Sequence, residues 1–179
     1  IKPSGTLSKI MDTTEGCHKP IGKYIFNNVN FSANDPILPR LREAGYHTVT
    51  SPVDEHNVIV TFPVKWDNMR FSRDTNSKEE LYVSNESAIS QLERYKLLMD
   101  SYVEQNCSIT VTYKADEVPC IIAWLKSNWS SYVGVSFLPH VDTQEVYAYL
   151  PQEVVSPKVY EEYVAQLTPV DLDEVKGTH

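Results

Sequence analysis

The sequence lacks any apolar run approaching the ~20 residues that a membrane-spanning helix needs. It also lacks a Lys/Arg cluster, and its formal net charge is −8, which argues against nucleic-acid surfaces and anionic membrane surfaces as partners. No long stretch is rich in Pro, Gly or Ser, and 41% of the 179 residues are hydrophobic. This composition excludes a disordered, collagen-like or low-complexity chain, so we expect a globular chain with a substantial core.

Cysteine is scarce as well. Cys17, Cys107 and Cys120 form no CxxC pair, and their odd number gives no disulfide framework. Reduced thiols are typical of a cytoplasmic protein, which is the location we expect. Metal ligands at known spacings are also missing, so no metal site is predicted from the scattered histidines His18, His47, His56 and His140.

The first half of the sequence predicts short strands and one short helix. Asp35 is the expected N-cap of that helix, with Pro36 at its first position, and Gly45 marks its end. The polar run at residues 65–84 predicts a surface excursion that serves as a hinge or an insertion. β-branched and aromatic residues predict three extended segments, at Tyr24–Phe31, Tyr46–Thr50 and Val58–Val64.

The second half predicts a β-α-β unit. Apolar residues at helical spacing predict an amphipathic helix of about six turns over Asn85–Gln105. Cys107–Tyr113 alternates between apolar and hydroxyl-bearing residues, with Cys107 on the apolar face, and Tyr132–Leu138 is a second predicted strand. A helix capped by Asp116 separates the two strands, which predicts parallel pairing with a right-handed connection. The threonine face favours an α/β barrel whose interior holds a substrate or cofactor.

The remaining sequence adds three expectations. Ser156-Pro157 predicts the start of a last helix, and the acidic residues 171–179 are expected to begin a flexible tail. An aromatic cluster is expected either to pack as core beneath the β-α-β unit or to form a platform for a cofactor, and its members are Trp124, Trp129 and Tyr132.

The clearest candidate for chemistry is the hydroxyl-rich segment Pro3–Ser8. Small residues around a glycine, just ahead of a helical run, can form a concave row of backbone N–H groups that binds phosphate without any lysine. The alternative is an ordinary Ser/Thr-capped turn. A cluster of positive charges near this segment favours the anion site, and its members are Lys2, Lys9, Lys19 and Lys23.

The segment Pro3-Ser4-Gly5-Thr6-Leu7-Ser8 is the first of an ordered series. The series continues with Glu15–His18, Asp35–Pro39, Glu43–Tyr46, Phe62–Val64, Cys107–Thr110 and Gly134–Pro139. In this order the segments resemble the monomeric class II ribonucleotide reductases, which are adenosylcobalamin-dependent ribonucleoside-triphosphate reductases. The resemblance covers nearly the whole chain. It implies an α/β fold in which residues 1–170 form the C-terminal portion of a ten-stranded α/β catalytic barrel.

The resemblance also implies two sets of binding residues. Those expected to hold the phosphates of a ribonucleoside triphosphate are Ser4, Gly5, Thr6 and Ser8. Those expected to contact adenosylcobalamin lie in the segment after this turn and in the last barrel strand, and the candidates are Gly16, His18, Tyr24, Tyr132 and Ser136.

The sequence departs from the reductase family in its cysteines. The finger-loop cysteine, the pair that reduces the substrate and the pair in the mobile tail have no counterpart in Cys17, Cys107 or Cys120. The chain begins in mid-motif, so we expect a fragment that lacks the N-terminal part of the reductase, contains no catalytic residue and is inactive alone. The complete enzyme would use a thioredoxin-type reductant. Two alternatives are a split or detached module that binds a nucleotide phosphate or docks onto a partner, and a purely structural fragment.

Overall fold

The computed structural model describes residues 1–139 and 150–170. These residues form two compact units. The first comprises residues 1–21, 66–72 and 83–139, and the second comprises residues 22–65, 73–82 and 150–170. His140 and the predicted tail at 171–179 lie outside the described residues.

Helices and strands alternate irregularly along the chain. The helices are α1 (Leu7–Ile10), α2 (Leu38–Glu43), α3 (Ala88–Ser101), α4 (Val118–Ser127) and α5 (Pro157–Ala165), with a 3-10 turn at Ala115–Glu117. The strands are β1 (Tyr24–Ser32), β2 (Thr48–Thr50), β3 (Asn57–Lys65), β4 (Ser72–Arg73), β5 (Tyr82–Val83), β6 (Thr110–Tyr113), β7 (Ser136–Pro139) and β8 (Gln152–Val154).

A β-α-β unit organises the first unit. Strand β6 pairs in parallel with β7, Thr110 opposite Ser136, and α4 connects them, which confirms the predicted parallel pair. Cys107 and Val111 are fully buried, as the alternating pattern predicted for the apolar face. They pack against α3 and α4 in one core with Leu92, Tyr95, Ile121 and Trp124.

Three predictions for this unit are wrong in detail. Helix α3 begins after Ser87, whose hydroxyl accepts from the Ser90 N–H, so it is shorter than the predicted 85–105. Asp116 is not the N-cap of α4, because it lies inside the 3-10 turn and Glu117 holds the N-cap position. The Glu117 carboxylate accepts from the Lys114 and Ala88 N–H groups, each at 2.8 Å. Trp129 is 74% exposed and therefore no core residue, whereas Trp124 is buried.

A four-stranded antiparallel sheet, ordered β2-β3-β1-β8, organises the second unit. Its three predicted strands are confirmed. β8 was missed because its three residues carry no alternating pattern. Helix α2 packs on one face through Leu38 and Leu41. Helix α5 packs on the other, where Tyr163 contacts Phe26.

The helix boundaries of the second unit were partly predicted. Asp35 is not the N-cap of α2, because Ile37 holds that position. The Asp35 carboxylate, two residues before it, accepts from the Ile37 N–H at 3.0 Å. Gly45 ends the helix as predicted, with a φ of +90°. Ser156 caps α5 as predicted, by accepting from the Val159 N–H.

The described residues form no barrel. Their strands make one four-stranded and two two-stranded sheets, one of them β4 with β5. Within the predicted surface excursion, Trp66 is fully buried in the first unit, where its indole N–H donates to the Thr13 carbonyl at 3.3 Å. Residues 67–81 are exposed or half-buried. The fold is therefore a mixed α/β fold, as predicted.

Candidate functional site

Two serines close the hydroxyl-rich turn. The Ser4 hydroxyl accepts from the Ser8 N–H at 3.1 Å, and the Ser8 hydroxyl donates back to the Ser4 carbonyl. Ser8 is only 3% exposed. Its hydroxyl therefore holds the turn from beneath, while the surface of the turn is formed by Ser4, Gly5 and Thr6.

A lysine supports the turn at the next residue. The Lys9 ammonium donates to the Gly5 carbonyl at 2.6 Å and forms an ion pair with Glu15. Only 7% of the Lys9 side chain is exposed. Of the four lysines predicted to attract an anion, Lys9 is therefore neutralised and turned inward.

The two held carbonyls determine where the neighbouring N–H groups point. In a trans peptide the C=O and the following N–H point in opposite directions, and the described residues contain no cis peptide. Because Ser8 and Lys9 hold the carbonyls of Ser4 and Gly5, the N–H groups of Gly5 and Thr6 point away from them. Neither N–H finds an acceptor among the described residues. The turn thus presents two adjacent donors to its exposed side.

Gly5 leaves this side open. A Cβ built on Gly5 would meet no atom within 4 Å, and its φ lies outside the left-handed region. The fold of the first unit itself does not require glycine here. The N-cap Thr6 makes no side-chain capping bond, and the four-residue α1 adds little dipole, so the donors come from the turn.

Asp12 anchors the far end of α1. It has a φ of +51°, and its carboxylate accepts from the N–H groups of Asp67 at 3.2 Å and Asn68 at 3.1 Å. Asp12 was not predicted from the sequence. An aspartate just after a short helix is a signal for such a role, because Asp tolerates the left-handed region better than most residues.

Two predicted cobalamin contacts have roles within the fold. His18 uses both ring nitrogens, since Nδ1 lies 2.9 Å from the Glu15 carbonyl and Nε2 accepts from the Thr110 N–H at 2.9 Å. These partners assign the neutral ring with its proton on Nδ1. Gly16 has a φ of +61° and approaches the Lys2 backbone, so its backbone conformation accounts for the glycine.

The other three predicted contacts fall in different places. Tyr24 belongs to the second unit, where its ring packs 5.2 Å from that of Tyr160. Tyr132 lies in the first unit beside Trp124 and Trp129. Ser136, at the start of β7, is exposed. Gly16, His18, Tyr132 and Ser136 thus share the first unit, and Tyr24 does not.

A polar network crosses the sheet of the second unit. The buried Thr61 hydroxyl donates to Asn28, and the Asn28 amide donates to Glu153, each at 2.8 Å. This row was not predicted from the sequence, although polar residues inside strands are its signal. Thr61, Asn28 and Glu153 line a cleft of about 610 Å³, and their side chains are hydrogen-bonded to one another.

Within residues 1–139 and 150–170, no three His, Cys, Asp or Glu side chains come together to hold a metal ion. In the same ranges, no helix has the length and apolarity to cross a membrane.

The adenosylcobalamin-dependent ribonucleoside-triphosphate reductase of Lactobacillus acidophilus is 30% identical over 175 residues, which cover 98% of this chain and 22% of that protein. The probable enzyme of the same name from Dictyostelium discoideum is 30% identical over 181 residues, 99% of this chain and 22% of that protein. The chain is homologous to part of these reductases. The crystal structure of a B12-dependent class II ribonucleotide reductase matches 97% of this chain, with a TM-score of 0.77 and 26% identity.

The predicted relation to class II reductases is therefore confirmed. The chain spans about a fifth of the length of these relatives, 22% of the two reductases and 23% of the crystal structure. No protein-family profile matches it. Its place within the reductase and the roles of its residues stay predictions.

Proposed function

We propose that the chain is the C-terminal part of the catalytic barrel of an adenosylcobalamin-dependent ribonucleoside-triphosphate reductase, and that the Ser4–Ser8 turn holds the substrate phosphates. The observation that carries this proposal is the pair of outward N–H groups at Gly5 and Thr6, fixed by the held carbonyls of Ser4 and Gly5. The homology over 98% of the chain supports it.

The chemistry of the turn suits a phosphate. Two adjacent N–H groups and the exposed hydroxyl of Thr6 are donors, and hydrogen bonds to an anion are roughly twice as strong as neutral ones. The open space above Gly5 allows an oxygen to approach the backbone closely. In this proposal Ser4 and Ser8 shape the turn, and the triphosphate is bound by Gly5 and Thr6.

The share of this chain in the reaction is binding. Adenosylcobalamin, when bound, supplies the radical chemistry of the complete enzyme. Of the proposed contacts to it, Ser136 is exposed and Tyr132 is half-buried, so these two can reach a ligand. His18 fits less well, because both of its nitrogens already have partners. The remaining reductase polypeptide and a thioredoxin-type reductant are the proposed partners, in the cytoplasm.

A second candidate is a detached module that binds a nucleotide phosphate and has no activity of its own. One observation favours it: Lys9, Glu15 and Ser8, which shape the turn, all belong to the first unit. The turn therefore needs no other polypeptide to be formed.

Titration of the 179-residue chain with a ribonucleoside triphosphate tests the proposal. Binding is expected, with inorganic tripolyphosphate as a competitor, because the phosphates carry the recognition. Adding the missing reductase polypeptide and adenosylcobalamin should then give deoxyribonucleotide formation. Binding without any reduction would favour the detached module, and absence of triphosphate binding would contradict both candidates.

A further inference from the structure

Resting on the proposed function, we infer that Lys9 is a positioning residue for phosphate binding. It holds the Gly5 carbonyl inward so that the Thr6 N–H faces the ligand, and Glu15 keeps Lys9 in place while neutralising its charge.

Contacts within the fold already occupy most of the Lys9 ammonium. The Lys9 side chain is only 7% exposed, and its ammonium already bonds the Gly5 carbonyl and the Glu15 carboxylate. An ammonium has three donors and no acceptor, so at most one donor is left. Lys9 is thus placed to act on the ligand through the peptide it holds.

Lys9 acts on the turn in the same way as Ser8, by holding a backbone carbonyl. Lys9 lies four positions after Gly5, and Ser8 lies four positions after Ser4. Each of these two consecutive side chains reaches back to the carbonyl at that position. Two consecutive peptides are oriented in this way. Without Lys9, the Gly5–Thr6 peptide can rotate more freely, because glycine has the widest backbone freedom and the space that a Cβ of Gly5 would occupy is open.

Lys9 and Glu15 together add little net charge at the turn. Glu15 is 22% exposed and pairs with Lys9, so their charges largely cancel at the distance of a ligand. At the turn itself, attraction then comes from the oriented N–H groups, in a chain whose net charge is −8. Removal of the Glu15 charge alone would leave the Lys9 cation uncompensated, which favours an anion.

The experiment compares variants of the 179-residue chain at one ionic strength. Inorganic tripolyphosphate is the probe, and calorimetry gives its Kd. Lys9→Met with Glu15→Gln removes both charges together, so no unpaired buried charge destabilises the fold. We expect this double variant to keep its Tm within a few degrees and to bind at least about tenfold more weakly, as for a lost charge-assisted hydrogen bond.

Two variants serve as controls. Glu15→Gln alone keeps an amide oxygen that can accept from Lys9, so Lys9 should still hold Gly5, and the variant should bind as tightly as the wild type or tighter. Lys126→Met removes one lysine charge from an exposed position on α4, outside the proposed site, and should change the Kd by less than about threefold, as is typical of a single screened surface charge.

Each outcome decides a separate question. If the double variant binds as tightly as the wild type, the role of Lys9 is wrong and the phosphate turn stands. If the wild type does not bind, the proposed phosphate site is wrong. In that case the carbonyl ¹³C resonance of Gly5 still tests whether Lys9 holds this peptide: it should move in the double variant and stay in Lys126→Met, and an unmoved resonance overturns the inference.

Discussion

The thiol of Cys17 donates a weak hydrogen bond to the carbonyl oxygen of Ser108 across 3.5 Å. Burial, with a contribution from the neighbouring Cys107 thiol, raises the pKa of Cys17 to about 12. Only thiolates react rapidly with disulfide reagents, so Cys17 should be inert at neutral pH. This arrangement gives cysteines of two kinds in one unit, because Cys17 and Cys107 are buried and Cys120 is exposed.

We predict that an aromatic disulfide reagent modifies one thiol of the native chain rapidly at pH 8, and that this thiol is Cys120. The reaction of Cys17 should accelerate about tenfold per pH unit up to its raised pKa, because the thiolate fraction grows by that factor. Mass spectrometry of peptides after timed quenching measures both rates. Cys120→Ser should abolish the fast phase, and a persistent fast phase would contradict the burial of the other two thiols.

We predict that Gly5→Val weakens triphosphate binding by about 30- to 150-fold, equivalent to ~2–3 kcal/mol, because a side chain would keep the phosphate from the two N–H groups. The fold should tolerate this change, since a Cβ at Gly5 has no neighbour within 4 Å. Thr6→Ala should have a smaller effect, because it removes one hydroxyl and leaves the N–H groups.

Gly134→Val is the matched control for Gly5→Val. A Cβ at Gly134 meets only the Asn106 side chain, at 3.8 Å, so this variant should also fold and should bind triphosphate normally. Calorimetry gives the affinity, and thermal unfolding verifies the fold. Unchanged affinity in Gly5→Val would leave the turn as an ordinary helix cap.

We predict that Asp12 stabilises the first unit through its carboxylate rather than through its backbone conformation. Asp12→Gly removes the bonds to the Asp67 and Asn68 N–H groups and relaxes the φ of +51°. Asp12→Asn keeps one acceptor and tolerates the same φ. The free energy of unfolding should fall by about 1–3 kcal/mol in Asp12→Gly and by less in Asp12→Asn. Urea denaturation measures both, and equal losses would show that the charge alone matters.

The sequence predicted the parallel β-α-β pair because its signal is local. Cys107, Ile109 and Val111 alternate with hydroxyl residues, and burial follows that alternation. The end of α3 was not predicted, because Tyr102 and Val103 continue the apolar periodicity. Their N–H groups both bond the Leu98 carbonyl, which ends the helix at Ser101.

The location of the candidate site was predicted from the sequence, but the orientation of its groups was not. The residue types of Pro3–Ser8 located the turn. Which of them face outward depends on how Ser8 and Lys9 fold back beneath it, and composition does not determine that. The role of His18 likewise depends on Thr110, which is 92 residues away in the sequence.

We predict that His18 serves the fold by linking the Glu15 carbonyl to the Thr110 N–H. A matched pair of variants separates its two bonds. His18→Gln can keep an acceptor near the Nε2 position, and His18→Asn can keep a donor near the Nδ1 position. His18→Ala loses both bonds and should lower the free energy of unfolding by about 1–3 kcal/mol, with the other two variants between it and the wild type.

The Thr110 amide should exchange its hydrogen faster in His18→Ala and His18→Asn, and remain protected in His18→Gln. Hydrogen exchange of this amide is followed by NMR at the same pH in all variants. Equal protection in all three variants would contradict the Thr110 bond and leave His18 available for a ligand.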